Sequence, residues 1–124
     1  MAYEVSWHIP DKILLLRLSG DYTLDEGREV DTLLLKALND SPTNMGVLID
    51  ARAMNRPYNF QAIRDTQTYM NHRHASYIFV VASDRIIKLA MLVIFNLSHA
   101  YLITFDDFEA AQTRIQRQLS SFIK

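Results

Sequence analysis

Three aspartates each follow an apolar segment of the 124-residue chain. Asp50 ends the run V-L-I-D, Asp84 follows Y-I-F-V-V-A-S, and Asp106 follows Y-L-I-T-F. If these segments are parallel strands, their carboxyl ends meet at one sheet edge, where open α/β proteins bind ligands. Carboxylates gathered there could hold Mg²⁺ or act as general acid and base. An enzyme that uses an acid cluster is therefore one hypothesis for this protein.

Helix capping explains two of the three aspartates more simply. A side-chain oxygen at a helix start accepts hydrogen bonds from free amides, and its charge complements the helix dipole. Asp84, or Ser83 before it, can cap an apolar helix, and the run Asp106-Asp-Phe-Glu109 has the pattern of a capping box. Asp50 is then left alone and can hydrogen-bond loop amides or pair with a nearby arginine, Arg52 or Arg56. The pattern favours a protein that is not an enzyme.

Other kinds of catalytic or metal site lack the residues they need. His72 and His74 are the only close histidine pair. On a helix they would point about 200° apart, and no third ligand lies near them in the sequence. Cysteine is absent, as are the nucleophile elbow and the glycine-rich phosphate loops. The sequence predicts no metal and no cofactor.

Composition excludes two further classes of protein. Lys and Arg number 13 against 14 Asp and Glu, a net charge of -1 that argues against a nucleic-acid binder. The apolar stretch Ile86–Leu97 is shorter than the roughly 20 residues that a membrane span needs, so no span is expected. The lack of cysteine and of a signal-peptide pattern at the start of the sequence predicts a cytoplasmic location.

Strand and helix patterns alternate along the chain. Strands are predicted at residues 3–7, 13–18, 45–49, 77–82 and 100–105. Helices are predicted after the capping box Thr23–Glu26, after Asn59, after Ser83 or Asp84, and after Asp106. This order predicts a single α/β layered domain over residues 1–124. Its mostly parallel five-stranded sheet has an antiparallel edge strand and is packed by four helices.

Several dispersed residues add a family resemblance. They are Trp7 in the first hairpin, the turn at Gly20, the helix start T-L-D-E, the strand V-L-I-D, and the closing F-D-D-F-E-A-A. Together they resemble the STAS-like group of small bacterial domains related to the sporulation anti-sigma-factor antagonists. The resemblance implies the STAS-like fold and a bacterial regulatory role.

The loop that carries the family's modification site differs here. In the antagonists, the strand matching Val47–Asp50 leads into a run of aspartate, serine, serine or threonine, and glycine, in which a serine is phosphorylated. The four residues after Asp50 are Ala51, Arg52, Ala53 and Met54. Because none carries a hydroxyl, the sequence predicts no phosphorylation switch.

This loop is nevertheless a candidate surface for a protein partner. Arginine, tyrosine and methionine are favoured at the centres of protein interfaces. The predicted contact residues are Asp50, Arg52, Met54, Arg56 and Tyr58. Alternatively, the apolar members of the loop fold onto the protein's own helices.

The third predicted helix is apolar around almost its whole circumference. A helix in a two-layer domain normally exposes one polar face, so something else must cover this one. We expect a homodimer, the commonest assembly, with a contact surface that includes Leu89, Leu92, Val93 and Phe95. Alternatively, a pocket beneath the helix binds a small apolar, lipid-like ligand, as in related α/β domains of the CRAL-TRIO type.

Overall fold

The structure, a computed structural model, describes residues 2–57, 59–95 and 98–123, without the side chains of residue 60 and residues 120–123. The strands are β1 (Tyr3–Ile9), β2 (Ile13–Gly20), β3 (Met45–Met54), β4 (Ala75–Val81) and β5 (Tyr101–Phe105). The helices are α1 (Leu24–Asp40), α2 (Phe60–Thr66), α3 (Arg85–Phe95) and α4 (Phe108–Ile123), with a 3₁₀ turn at Thr68–Asn71. The predicted order of elements is confirmed.

The five strands form one sheet in the order β1-β2-β3-β4-β5. β1 pairs with β2 antiparallel, and the other three pairings are parallel. This confirms the predicted mostly parallel sheet with an antiparallel edge strand. The apolar strand β3 lies at its centre, as its sequence indicates.

The side on which each helix packs follows from this strand order. β2 to β5 succeed one another across the sheet, so right-handed crossovers place α1, α2 and α3 on the same face. One core lies under those helices and includes Leu14, Leu16, Ile49 and Ile94. α4 follows the last strand and packs on the opposite face, where a smaller core includes Phe79 and Ile115. A single helix thus covers one face of a five-stranded sheet.

Local hydrogen bonds confirm the predicted starts of the first two helices. Glu26 N donates to Thr23 Oγ1 at 3.2 Å, and Thr23 N donates to Glu26 Oε1 at 3.2 Å, which is the reciprocal capping box. Asn59 Oδ1 accepts from Ala62 N at 3.0 Å at the start of α2.

An irregularity in β3 decides which way the end of that strand faces. Arg17 of β2 lies opposite Asp50, but Ser19 lies opposite Ala53, so β3 contains one extra residue. Such a bulge reverses the alternation of side chains beyond it. Met54 therefore packs under the helices, 5% exposed, instead of on the face that Asp50 occupies.

Candidate functional site

Asp50 is a buried carboxylate near the carboxyl end of the central strand, with 4% of its surface exposed. On β2, Ile13 and Leu15 point to the α4 face of the sheet, and strand alternation places Arg17 on the same face. The parallel register sets Arg17 directly opposite Asp50. Two strands thereby bring a cation and an anion together at the edge of the smaller core.

Two arginines hold the Asp50 carboxylate. Arg52 makes a bidentate pair, with Nε 2.9 Å from Oδ1 and Nη2 2.8 Å from Oδ2. Arg17 donates from Nε to Oδ2 at 3.3 Å, and Arg52 N donates to Oδ1 at 3.2 Å. The Arg52 guanidinium also lies over the ring of Phe108, 4.9 Å from its centroid, which is cation–π geometry.

These contacts keep Asp50 ionised. Burial alone raises the pKa of the Asp50 carboxyl, but the hydrogen bonds and charge of Arg52, together with the charge of Arg17, outweigh burial and lower that pKa overall. The hydrogen bond to Asp50 raises the pKa of Arg52. Each Asp50 oxygen accepts two hydrogen bonds, which fills the roughly four acceptor positions of a carboxylate. The geometry therefore makes Asp50 an anchor for two arginines and leaves it no room to act as a base.

The other two aspartates of the acid-cluster hypothesis have separate partners. Arg56 Nε donates to Asp84 Oδ2 at 2.9 Å, and Asp84 Oδ1 accepts from Ile86 N at 2.8 Å, so Asp84 caps α3 as predicted. The bond from Arg56 is the main cause of a lowered Asp84 pKa. Asp106 pairs with Lys88. A cation therefore neutralises each of the three carboxylates, and no acid cluster forms from them.

The predicted cap of α4 is wrong by one residue. Asp107, and not Asp106, caps that helix, because Asp107 Oδ1 accepts from Ala110 N at 2.7 Å and its carbonyl accepts from Ala111 N at 3.4 Å. Two adjacent aspartates precede the helix, and the geometry of the turn after β5 selects the second. The first is left exposed and reaches Lys88.

The predicted partner-binding residues have different surroundings. The Arg52 and Arg56 side chains are 43% and 62% exposed, so both present cationic groups at this edge of the sheet. Asp50 is covered, and its contribution is to position the arginines. The bulge buries Met54, which corrects the expectation that it forms part of the surface. Tyr58 lies outside the described residues.

α3 has one buried face and one exposed apolar face. Its inner side chains, among them Met91 and Ile94, pack in the larger core. Leu89, Leu92 and Val93 are 52%, 42% and 53% exposed, and Ile86 extends the same stripe. Phe95, predicted for this surface, is instead 3% exposed and packs edge-on against Tyr69, with ring centroids 6.4 Å apart. Leu97 lies outside the described residues.

The exposed stripe forms one wall of an open groove of about 730 Å³. Leu102 of β5 and Arg64 of α2 line its other sides. In the single chain the stripe therefore leaves these apolar side chains of α3 in contact with solvent.

Comparison with known proteins gives the fold a name. No family model and no curated protein matches the sequence. An uncharacterized protein of the DUF3478 family from Shewanella loihica PV-4, with a SpoIIAA-like fold, is similar in structure with a TM-score of 0.67. It is 18% identical in sequence, and the match covers 91% of each chain. The chain has the SpoIIAA-like fold.

A second solved structure supports the same assignment. An anti-sigma factor antagonist from Mycobacterium paratuberculosis matches with a TM-score of 0.57 and 15% identity, covering 92% of each chain. This confirms the STAS-like architecture that the sequence resemblance implied. At these identities the likeness establishes the fold alone.

The two histidines of the close pair in this SpoIIAA-like domain both pack against the end of α1. The ring centroids of His72 and His74 are 5.4 Å apart. His72 Nε2 lies 2.7 Å from Asn39 Oδ1, and His74 Nδ1 lies 3.1 Å from Leu38 O, so both rings contact the end of α1. In the part of the chain that the structure describes, no three His, Asp or Glu side chains converge as metal ligands.

A small cavity lies in the larger core beneath α3. Its volume is about 10 Å³, enough for about one water molecule. Tyr22 and Gln67 are among the residues that line it, and the buried Tyr22 hydroxyl has no hydrogen-bond partner among the residues that the structure describes. Burial raises the pKa of Tyr22 above its ordinary range. A cavity of this volume is far smaller than the sites that bind lipid-like ligands. None of the described helices has the length and apolar character to cross a bilayer.

Arg17 is the site residue that the sequence analysis missed. A signal was present, because Arg17 is a charged residue inside the apolar run I-L-L-L-R-L, which is otherwise suited to a buried strand. Its relation to Asp50, 33 positions later, depends on the register of β2 and β3.

Proposed function

We propose that this SpoIIAA-like protein is a bacterial regulatory domain that acts in the cytoplasm through contacts with proteins, without catalysis and without a phosphorylation switch. The observation that carries the proposal is the exposed apolar stripe of α3 formed by Ile86, Leu89, Leu92 and Val93. The bacterial origin of both similar structures and the absence of cysteine support the proposed setting.

The chemistry at the carboxyl end of β3 supports a role in protein contacts over a role in catalysis. The Asp50 carboxylate is fully engaged by Arg17 and Arg52, and the four residues that follow it offer no hydroxyl to phosphorylate. Arg52 and Arg56 remain exposed, and arginine is enriched at interface centres. This edge is therefore suited to binding a protein partner.

We also propose that the protein is a homodimer joined through α3. A two-fold dimer brings the same patch of each subunit together, so the stripe of one copy can cover the stripe of the other. The stripe carries no charged side chain at its four exposed positions, which is the pattern of an interface core.

The test is sedimentation velocity of the full chain at several concentrations. The sedimentation coefficient is expected to rise with concentration toward the value of a compact dimer, because only association covers the stripe. A single species with the mass of one chain at every concentration would rule out self-association through α3.

A second candidate function is the carriage of a small apolar ligand. The groove of about 730 Å³ beside Leu89 and Val93 favours this function. Its walls are largely apolar, and its volume is within the range of ligand sites. In this case native mass spectrometry of the purified protein should reveal a retained lipid-like mass that organic extraction removes. Repeated spectra with only the mass of the polypeptide would count against a carrier.

A further inference from the structure

The two guanidinium groups at Asp50 have donors to spare. An arginine side chain carries five N–H donors. Arg17 uses only Nε for Asp50, while Arg52 uses Nε and one hydrogen of Nη2. Within the described part of the chain, the terminal nitrogens of Arg17 and Nη1 of Arg52 have no protein partner. With 46% and 43% of these side chains exposed, the unused donors are accessible to another molecule.

The pair is also held in place before any partner arrives. The bidentate contact with Asp50 and the stacking over Phe108, at 4.9 Å, fix the plane of the Arg52 guanidinium. Arg17 extends from the parallel strand next to it and is oriented by the same carboxylate. A group that is already ordered loses less conformational entropy on binding.

The surrounding charges decide which kind of anion this pair suits. Against the two guanidiniums stand Asp50 itself, Glu4 in the β1 position opposite Arg17, and Asp107, whose charge acts on Arg52. Three carboxylates thus surround two guanidiniums, so the repulsion that an incoming anion meets grows with its charge. A singly charged, planar carboxylate that matches the guanidinium fork is favoured over a doubly charged phosphate.

We infer that Arg17 and Arg52 form a binding site for a carboxylate side chain, that of an aspartate or glutamate in a protein partner. This inference rests on the proposed role in protein contacts and names the chemical group that the carboxyl end of β3 recognises. Asp50 is the positioning residue of the site, because it contacts both arginines and is itself buried.

The experiment titrates the ¹⁵N-labelled protein with three probes and follows the arginine Nε–H signals by NMR. The probes are N-acetylglutamate α-amide, its neutral analogue N-acetylglutamine α-amide, and inorganic phosphate, all at constant ionic strength. We expect saturable shifts of the Arg17 and Arg52 signals with the glutamate probe and none with the glutamine probe. Phosphate is expected to bind more weakly than the glutamate probe.

Two matched variants separate the site from the general charge of the protein. Arg17→Gln is expected to weaken binding of the glutamate probe by about fivefold, the upper range for an exposed ion pair. Arg28→Gln removes the same charge from an exposed arginine on α1 that pairs with Asp25, and it should leave binding unchanged.

Three results would overturn the inference: equal shifts with the neutral probe, equal weakening by both variants, or tighter binding of phosphate than of the carboxylate. The probes are monomeric and do not touch α3, so a failure here leaves the sedimentation result, and the proposed self-association, unaffected.

Discussion

Glutamate at both Leu89 and Val93 is expected to leave the protein monomeric at concentrations at which the wild type is dimeric. Both positions lie at the centre of the exposed stripe of α3, 52% and 53% exposed in the single chain. In a two-fold dimer each substitution occurs twice, so four apolar side chains are replaced by charges that the interface would have to desolvate. We expect the dissociation constant to rise at least about 100-fold, which corresponds to about 2.7 kcal/mol.

The measurement is sedimentation velocity of the variant and the wild type side by side. Because both side chains are half exposed in the monomer, the free energy of unfolding of the isolated chain should change by no more than about 0.5 kcal/mol. The matched control is Leu24→Glu with Leu33→Glu, which places the same charges at two exposed leucines of α1. If the control dissociates the dimer equally, or if the α3 variant associates like the wild type, the interface is not at α3.

Replacement of Asp50 by alanine should lower the free energy of unfolding by about 2 kcal/mol. The substitution removes four hydrogen bonds to Arg17 and Arg52 and leaves two cations beside each other. Loss of one partner of a fully buried ion pair costs about 3–5 kcal/mol, but both guanidiniums here are nearly half exposed and can be hydrated, so we expect less. Urea denaturation followed by circular dichroism gives the value.

Asp106→Ala is the matched control for Asp50→Ala. Asp106 also pairs with a cation, Lys88, but its side chain is 83% exposed, so its removal should cost no more than about 0.5 kcal/mol. Asp50→Asn keeps one acceptor oxygen for Arg52, so its free energy of unfolding should lie between those of the wild type and Asp50→Ala. Similar losses for the alanine variants of Asp50 and Asp106 would contradict the role of Asp50 as a buried anchor.

The ion pairs of Asp50 also make the free energy of unfolding depend on pH. The sign of this dependence follows from the lowered pKa of Asp50. A carboxyl with a lower pKa in the folded state contributes its stability above the ordinary aspartate pKa of about 3.9, and this contribution is lost as pH falls through the folded pKa. The stability difference between the wild type and Asp50→Ala should therefore be full at about pH 7 and smaller at about pH 3. A difference that is constant or grows toward acid would contradict the ion-pair assignment.

The architecture could be predicted from local patterns because each element carries its own signal. The Thr23–Glu26 capping box, the alternation in β1 and the apolar run of β3 each specify an element without reference to the rest of the chain. Once the elements alternate, the handedness of crossovers limits the sheet to few arrangements.

Strand register and helix rotation could not be predicted in the same way. The pairing of Arg17 with Asp50 depends on how β2 and β3 align, and the burial of Met54 depends on a single extra residue in β3. In α3, all seven residues from Leu89 to Phe95 are apolar, so periodicity could not tell that Phe95 faces inward and Val93 outward.

The bulge in β3 also means that the segment after Asp50 can lose one residue without losing its core contact. The parallel register sets Asp50 opposite Arg17 and Met54 opposite Gly20, and the extra residue lies between these two pairs. Deletion of Ala53 would therefore restore regular pairing with β2 and leave the thioether of Met54 under the helices. Homologous chains without the bulge should accordingly be one residue shorter in this segment and still have an apolar residue at its inward-facing end.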